Sequence, residues 1–149
     1  MIYLLWIVIV FLTIVIQASI SIFDITLNLT VVLAFYAGIK YGDIKGMFIG
    51  AFIGIIEDSL SGTILGPNLL SKGLVGYTSS FLYSRFFMWT PLLGVISISL
   101  FTFADSFMVF ILRSIFTRMP TGTGAAFTVI LIQSLFNAPL GLLLKPRRE

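Results

Sequence analysis

The 149 residues include no cysteine and no histidine. The first absence excludes disulfides, thiolate nucleophiles and cysteine-held zinc, and the second removes the imidazole base and the commonest zinc and haem ligand. Most hydrolase chemistry conducted inside membranes goes with them. Charge is scarce as well. Only 10% of the residues are Asp, Glu, Lys or Arg, where a soluble domain carries about a quarter. Nine bases against six acids give a net charge of +3, a surplus too small and too dispersed for a nucleic-acid footprint.

What fills the chain is apolar: 58% of residues are hydrophobic and the mean hydropathy is +1.11. Six spans of roughly 20 residues each would occupy most of the chain and leave no separate water-soluble domain. Barrel strands would alternate polar and apolar residues, whereas these runs are apolar on every side. The fold expected is therefore all-α: one polytopic membrane domain over residues 1–149, built as a six-helix transmembrane bundle.

Charge, glycine and proline place the spans at about residues 3–22, 26–41, 46–65, 69–88, 92–112 and 125–144. The first has no basic segment before it and no A-x-A site after it, which argues against a cleaved signal peptide. The second is short. The third keeps Glu57 and Asp58 inside it, because ending before them would leave too few apolar residues to cross. Residues 113–124 form the longest polar loop expected. Under the positive-inside rule, Lys40, Lys45, Arg85, Lys145, Arg147 and Arg148 fall on one side and Lys72, Arg113 and Arg118 on the other. That asymmetry puts both termini in the cytoplasm.

Gly46, Gly50 and Gly54 recur at a spacing of four. On a helix they form a ridge without side chains that lets another helix approach closely, either within the chain or from a partner. Glu57 and Asp58 lie in the same span. Intramembrane acids face the bundle interior, pair with a base or line a wet cavity. Adjacent acids differ by about 100° around a helix, so one can face inward while the other does not. Lys72, beyond the turn at Gly66-Pro67-Asn68, is the expected partner of one of them. Asp105 falls near the middle of the fifth span; Arg113 is too far along the helix for direct pairing. Asp105 is expected to be protonated or bonded to a Ser, Thr or Asn of a neighbour, with Asn137 one candidate. Pro139, in Asn137-Ala138-Pro139, predicts a kink in the last span. Glu57, Asp58, Lys72, Asp105 and Asn137 thus make a candidate intramembrane polar network. No serine has a base at a catalytic spacing and no glycine loop cradles phosphate, so neither enzyme activity nor a cofactor is expected.

The stretch 57–66, Glu57-Asp58-Ser59-Leu60-Ser61-Gly62-Thr63-Ile64-Leu65-Gly66, and the stretch 69–77 with Lys72, Gly76 and Tyr77, resemble the central signature of the MreD family of rod shape-determining membrane proteins. Chain length, the basic tail, and Asn137 and Pro139 extend the likeness. The resemblance implies a non-enzymatic component of the bacterial inner membrane, set among lipids in the cell-elongation machinery beside MreC. It implies work with MreB, RodA and a class B penicillin-binding protein in lateral peptidoglycan synthesis. Arg113 and Arg118, on the expected outer side, are then candidate contacts to a partner.

MreD-like chains also resemble the substrate-binding S components of energy-coupling-factor vitamin transporters, six-helix proteins with an outward cavity. In that alternative Glu57, Asp58, Lys72 and Asn137 would line a pocket. The A-x-x-x-A motif by which S components engage their transmembrane partner is missing from the first span, where Ala18 stands alone.

The charge asymmetry makes a topological prediction. A cysteine at Thr121 should react with an impermeant thiol reagent added to intact spheroplasts, and one at Asp43 should not; the reverse pattern would invert the orientation.

Overall fold

The structure, a computed structural model, describes residues 2–22, 25–62, 64–85, 90–117 and 122–144. Six α-helices follow one another: α1 (Ile2–Ser19), α2 (Leu29–Tyr41), α3 (Asp43–Ser61), α4 (Pro67–Arg85), α5 (Pro91–Thr117) and α6 (Thr123–Asn137). A two-residue antiparallel pair, β1 (Ser21–Ile22) and β2 (Ile25–Thr26), joins α1 to α2, with Ser21 opposite Thr26 and Ile22 opposite Ile25. Among the described residues the fold is all-helical apart from this ribbon. Two helical stretches, Pro91–Thr117 and Thr123–Leu142, are long and apolar enough to cross a membrane. Arg118, Lys145, Arg147, Arg148 and the side chain of Arg85, which carry part of the expected charge asymmetry, lie outside the described residues.

Helix boundaries follow local chemistry. α2 starts at Leu29, later than expected, because β2 holds the chain extended through Thr26. The Asn28 side chain then accepts from the Val31 N–H at 3.3 Å, satisfying one of the unpaired donors of the first turn. α3 stops at Ser61, short of the expected end at Leu65, where Gly62 takes the left-handed conformation at φ 62°. α4 opens on Pro67, whose missing N–H costs nothing in a first turn.

α5 runs on to Thr117, so Arg113 is helical and the expected loop beginning there is shorter. Nothing in Arg113-Ser114-Ile115-Phe116-Thr117 breaks a helix. At the other end, α6 tightens after Asn137 into a 3-10 segment, Ala138–Leu142. Pro139 cannot donate to the carbonyl four residues back, and Ala138 already donates to Leu135, three back.

α2 is the central helix. At 13 residues it is roughly 20 Å long, less than the ~30 Å hydrocarbon thickness of a bilayer. Its Val31, Ala34, Phe35 and Ala37 have no exposed surface. Val31, Ala34 and Phe35 pack with Val10 of α1, Ile53 of α3, Val75 of α4 and Ile98 of α5 in one core, and Phe35 meets Phe101 at 5.1 Å between ring centroids. α1 leans on this core and leaves Leu4, Leu5, Val8, Phe11 and Leu12 exposed. An apolar outer face of that kind suits lipid, not water.

The most extensive helix pairing among the described residues is between α3 and α4, and glycine makes it. A methyl group at Gly50 would enter the carbonyl of Lys72, one at Gly54 the carbonyl of Asn68, and one at Gly46 the Cα of Gly38 and the carbonyl of Gly76. The ridge therefore faces this chain's own α2 and α4. Close approach of this type needs residues without side chains on the contact line.

It follows that Gly50→Ala and Gly54→Ala should each destabilise the protein by about 1–3 kcal/mol through overpacking against fixed backbone. Gly124, in the first turn of α6, has nothing within 4 Å of the place a methyl carbon would take, so Gly124→Ala should be neutral or stabilising. Thermal unfolding in detergent checks all three, and unchanged stability at Gly50 and Gly54 would refute the ridge.

Candidate functional site

Because Gly50 and Gly54 let α4 approach, the backbone of Asn68 and Lys72 is pressed against α3 one and two turns from the acids. Lys72 is fully buried, and its Nζ lies 2.9 Å from Glu57 Oε2 and 3.4 Å from Asp105 Oδ2. The same nitrogen donates to Asn68 Oδ1 at 2.9 Å. Three donors thus meet three acceptors, from α3, α4 and α5, which is the full capacity of an ammonium.

Each carboxylate is tied down in turn. Thr30 donates to Glu57 Oε2 at 2.7 Å and Gln17 donates weakly to Oε1 at 3.4 Å. Asp105 accepts from Ser71 Oγ at 2.6 Å and from Asn28 Nδ2 at 2.7 Å. Asp105 is 1% exposed and Glu57 18%. Buried charges persist only when paired and hydrogen-bonded in this way.

The two adjacent acids have different roles, as their angular separation on α3 requires. Glu57 pairs with Lys72, and Asp58 does not. Asp58 turns to the start of α4, where it accepts from the backbone of Gly66 at 2.9 Å and of Leu69 at 3.2 Å, and from Asn68 Nδ2 at 2.8 Å. A carboxylate there satisfies unpaired N–H groups and complements the positive end of the helix. Asn137 does not reach Asp105 either. It donates to the carbonyl of Asn28 at 2.8 Å and to Thr102 at 3.2 Å, fixing the last turn of α6 against α2 and α5. The network is therefore wider than Glu57, Asp58, Lys72, Asp105 and Asn137. Gln17, Asn28, Thr30, Asn68 and Ser71 complete it, and their only mark in the sequence is being polar in apolar surroundings.

Above this network a cavity of about 410 Å³ opens between α5 and α6, within the range of small-molecule pockets. Glu57, Asp105, Asn28 and Gln133 line its polar part, while Val109, Phe110, Val129 and Ile130 are its apolar walls. Arg113 lines it too, with Nε buried and without a hydrogen-bond partner. Of the four residues expected to line a pocket only Glu57 does so. Lys72, Asp58 and Asn137 lie outside its lining: Lys72 and Asp58 are engaged between helices, and Asn137 donates through Nδ2 while its buried Oδ1 has no partner. Among the described residues no group of three or more Asp, Glu, His or Cys could hold a metal ion.

Comparison with known proteins returns no match: no family model, no curated protein and no solved structure is significantly similar to the chain. The site has to be read from its own geometry. The fold and site define a largely helical, membrane-compatible protein whose fully buried charged side chains, Asp58, Lys72 and Asp105, share one internal network with Glu57.

The division of labour between the acids is measurable. A double-mutant cycle of Glu57→Gln with Lys72→Met should show a coupling of about 1–3 kcal/mol, the single Lys72→Met being the most damaging because it leaves two carboxylates facing each other. The cycle of Asp58→Asn with Lys72→Met should be closer to additive. Equal coupling in both cycles would contradict the geometry.

Proposed function

We propose that this chain is a non-enzymatic, six-span component of the bacterial inner membrane, of the MreD kind, that holds MreC and the cell-elongation machinery in place. The observation that carries the reading is the segment that resembles the MreD signature. In the structure it is the α3–α4 hairpin, zipped by glycine and cross-linked by the Glu57–Lys72 pair. A hairpin of this stiffness is what a scaffold requires, since a partner gains from a surface that loses little entropy on binding.

In this reading both termini are cytoplasmic and the polar network, the cavity and Arg113 lie in the outer half of the membrane. MreB, RodA and a class B penicillin-binding protein are reached through the assembled complex, and lipid covers the apolar outer faces. The cavity favours a second reading, the substrate-binding S component of a vitamin transporter.

Depletion in a rod-shaped host should give round cells. Arg113→Glu with Arg118→Glu should lower the amount of MreC recovered with the tagged protein, while thermal stability in detergent stays near that of the parent. Cells that keep their shape but lose uptake of a vitamin would overturn the scaffold reading and support the transporter one.

A further inference from the structure

An acidic pair and a guanidinium border the same cavity at different heights. At its floor, Glu57 and Asp105 share one ammonium, Lys72, two carboxyl groups to a single base against the cavity wall. Asp58 is not part of that balance, being spent on the start of α4. Further along α5, Arg113 contributes a guanidinium that makes no ion pair among the described residues and has its Nε buried without a partner. Eight residues separate Asp105 from Arg113, roughly 12 Å of helical rise. The wall between them is Val109, Phe110, Val129 and Ile130.

We infer that the cavity binds a small zwitterionic molecule: an amine at the Glu57–Asp105 end, an acidic group at Arg113, and an apolar spacer between. Glu57 is the receiving carboxylate, because it is the more exposed of the two and its Oε1 has only the long bond from Gln17. Gln133, bonded to Ser106 and Thr26, and Asn28, bonded to Asp105, border the same floor, each with a second amide hydrogen for a ligand. Arg113 suits the other end because its fork matches a carboxylate or phosphate through two parallel bonds. Both ends lie in a low-dielectric site, where a ligand lacking either charge would leave a protein charge uncompensated. Such binding is a property of the purified chain and stands whether or not the protein serves as a scaffold.

The experiment uses the full chain in lipid nanodiscs and a series of ω-amino carboxylates with four to twelve carbons, titrated calorimetrically against empty nanodiscs. Affinity should peak near eight to ten carbons, with 8-aminooctanoate binding at least tenfold more tightly than octylamine or octanoate. Arg113→Gln should remove its advantage over octylamine and leave octylamine binding unchanged; Arg113→Lys should restore part of it. Acetylating the probe's amine tests the floor without touching the fold, and 8-acetamidooctanoate should bind no better than octanoate. Affinity that rises steadily with chain length would mean partition into an apolar groove and would overturn the inference. So would an unchanged affinity after acetylation or in Arg113→Gln, or no binding by any member of the series.

Discussion

An ammonium without exposed surface, held between Glu57 and Asp105, governs how the helices of this protein meet. In a low-dielectric interior an unpaired charge costs several kcal/mol, so Lys72 stays charged and buried only if both acids and Asn68 remain within hydrogen-bonding distance. That condition fixes α3, α4 and α5 against one another in rotation and in depth. Apolar packing alone would not, because Leu and Ile surfaces slide past each other at little penalty, and in lipid the hydrophobic effect between helices is missing.

The pairing and the glycine ridge depend on each other. Gly50 abuts the carbonyl of Lys72 itself and Gly54 that of Asn68, the residue that shares the ammonium. Any side chain at either glycine would move α4 outward and lengthen the ionic contact. Conversely, the ridge offers close backbone contact but little choice of register, since glycines four residues apart would also pack if shifted by one turn. The ion triad removes that ambiguity, which is the best-attested use of buried polar groups.

Features with a period or a scarcity behind them are legible in the sequence. Glycines at a spacing of four predict the ridge because close approach depends on residue type alone, and the rarity of charge singles out Glu57, Asp58, Lys72 and Asp105. Which acid faces Lys72 is not legible, because a rotation of about 100° separates the two and the hairpin angle sets which one points inward. The neighbours of Asp105 are hidden for a related reason. Asn28, Ser71 and Lys72, and not Asn137, reach it from helices whose relative depth is set by tertiary contacts. Asn28, Thr30 and Gln17 are single polar residues in apolar runs, with no pattern to distinguish a buried hub from a helix end. The extension of α5 past Leu112 leaves no trace in hydropathy, because membrane crossing and helix length are different constraints and only the first is written there.

The two ends of the bundle are chemically unlike, and this gives the network a direction. At the end where α2 leads into α3, Trp6 donates to the Tyr41 hydroxyl at 3.1 Å, and Lys40 lies over the rings of Tyr36 and Tyr41 at 5.7 and 5.5 Å. Indole, phenol and ammonium groups of that kind suit a membrane–water boundary, where one side of each residue is apolar and the other wet. At the opposite end no such belt is needed, because the first turns of α2 and α4 are capped from within. Gln17 accepts from the backbone of Leu29 and Thr30, and Asp58 from that of Gly66 and Leu69. Helix ends satisfied by side chains of other helices can sit below a membrane surface without exposing unbonded N–H groups to hydrocarbon. One end of the bundle therefore carries the aromatic and cationic groups that suit a headgroup boundary, and the other carries the polar network with the cavity beside it.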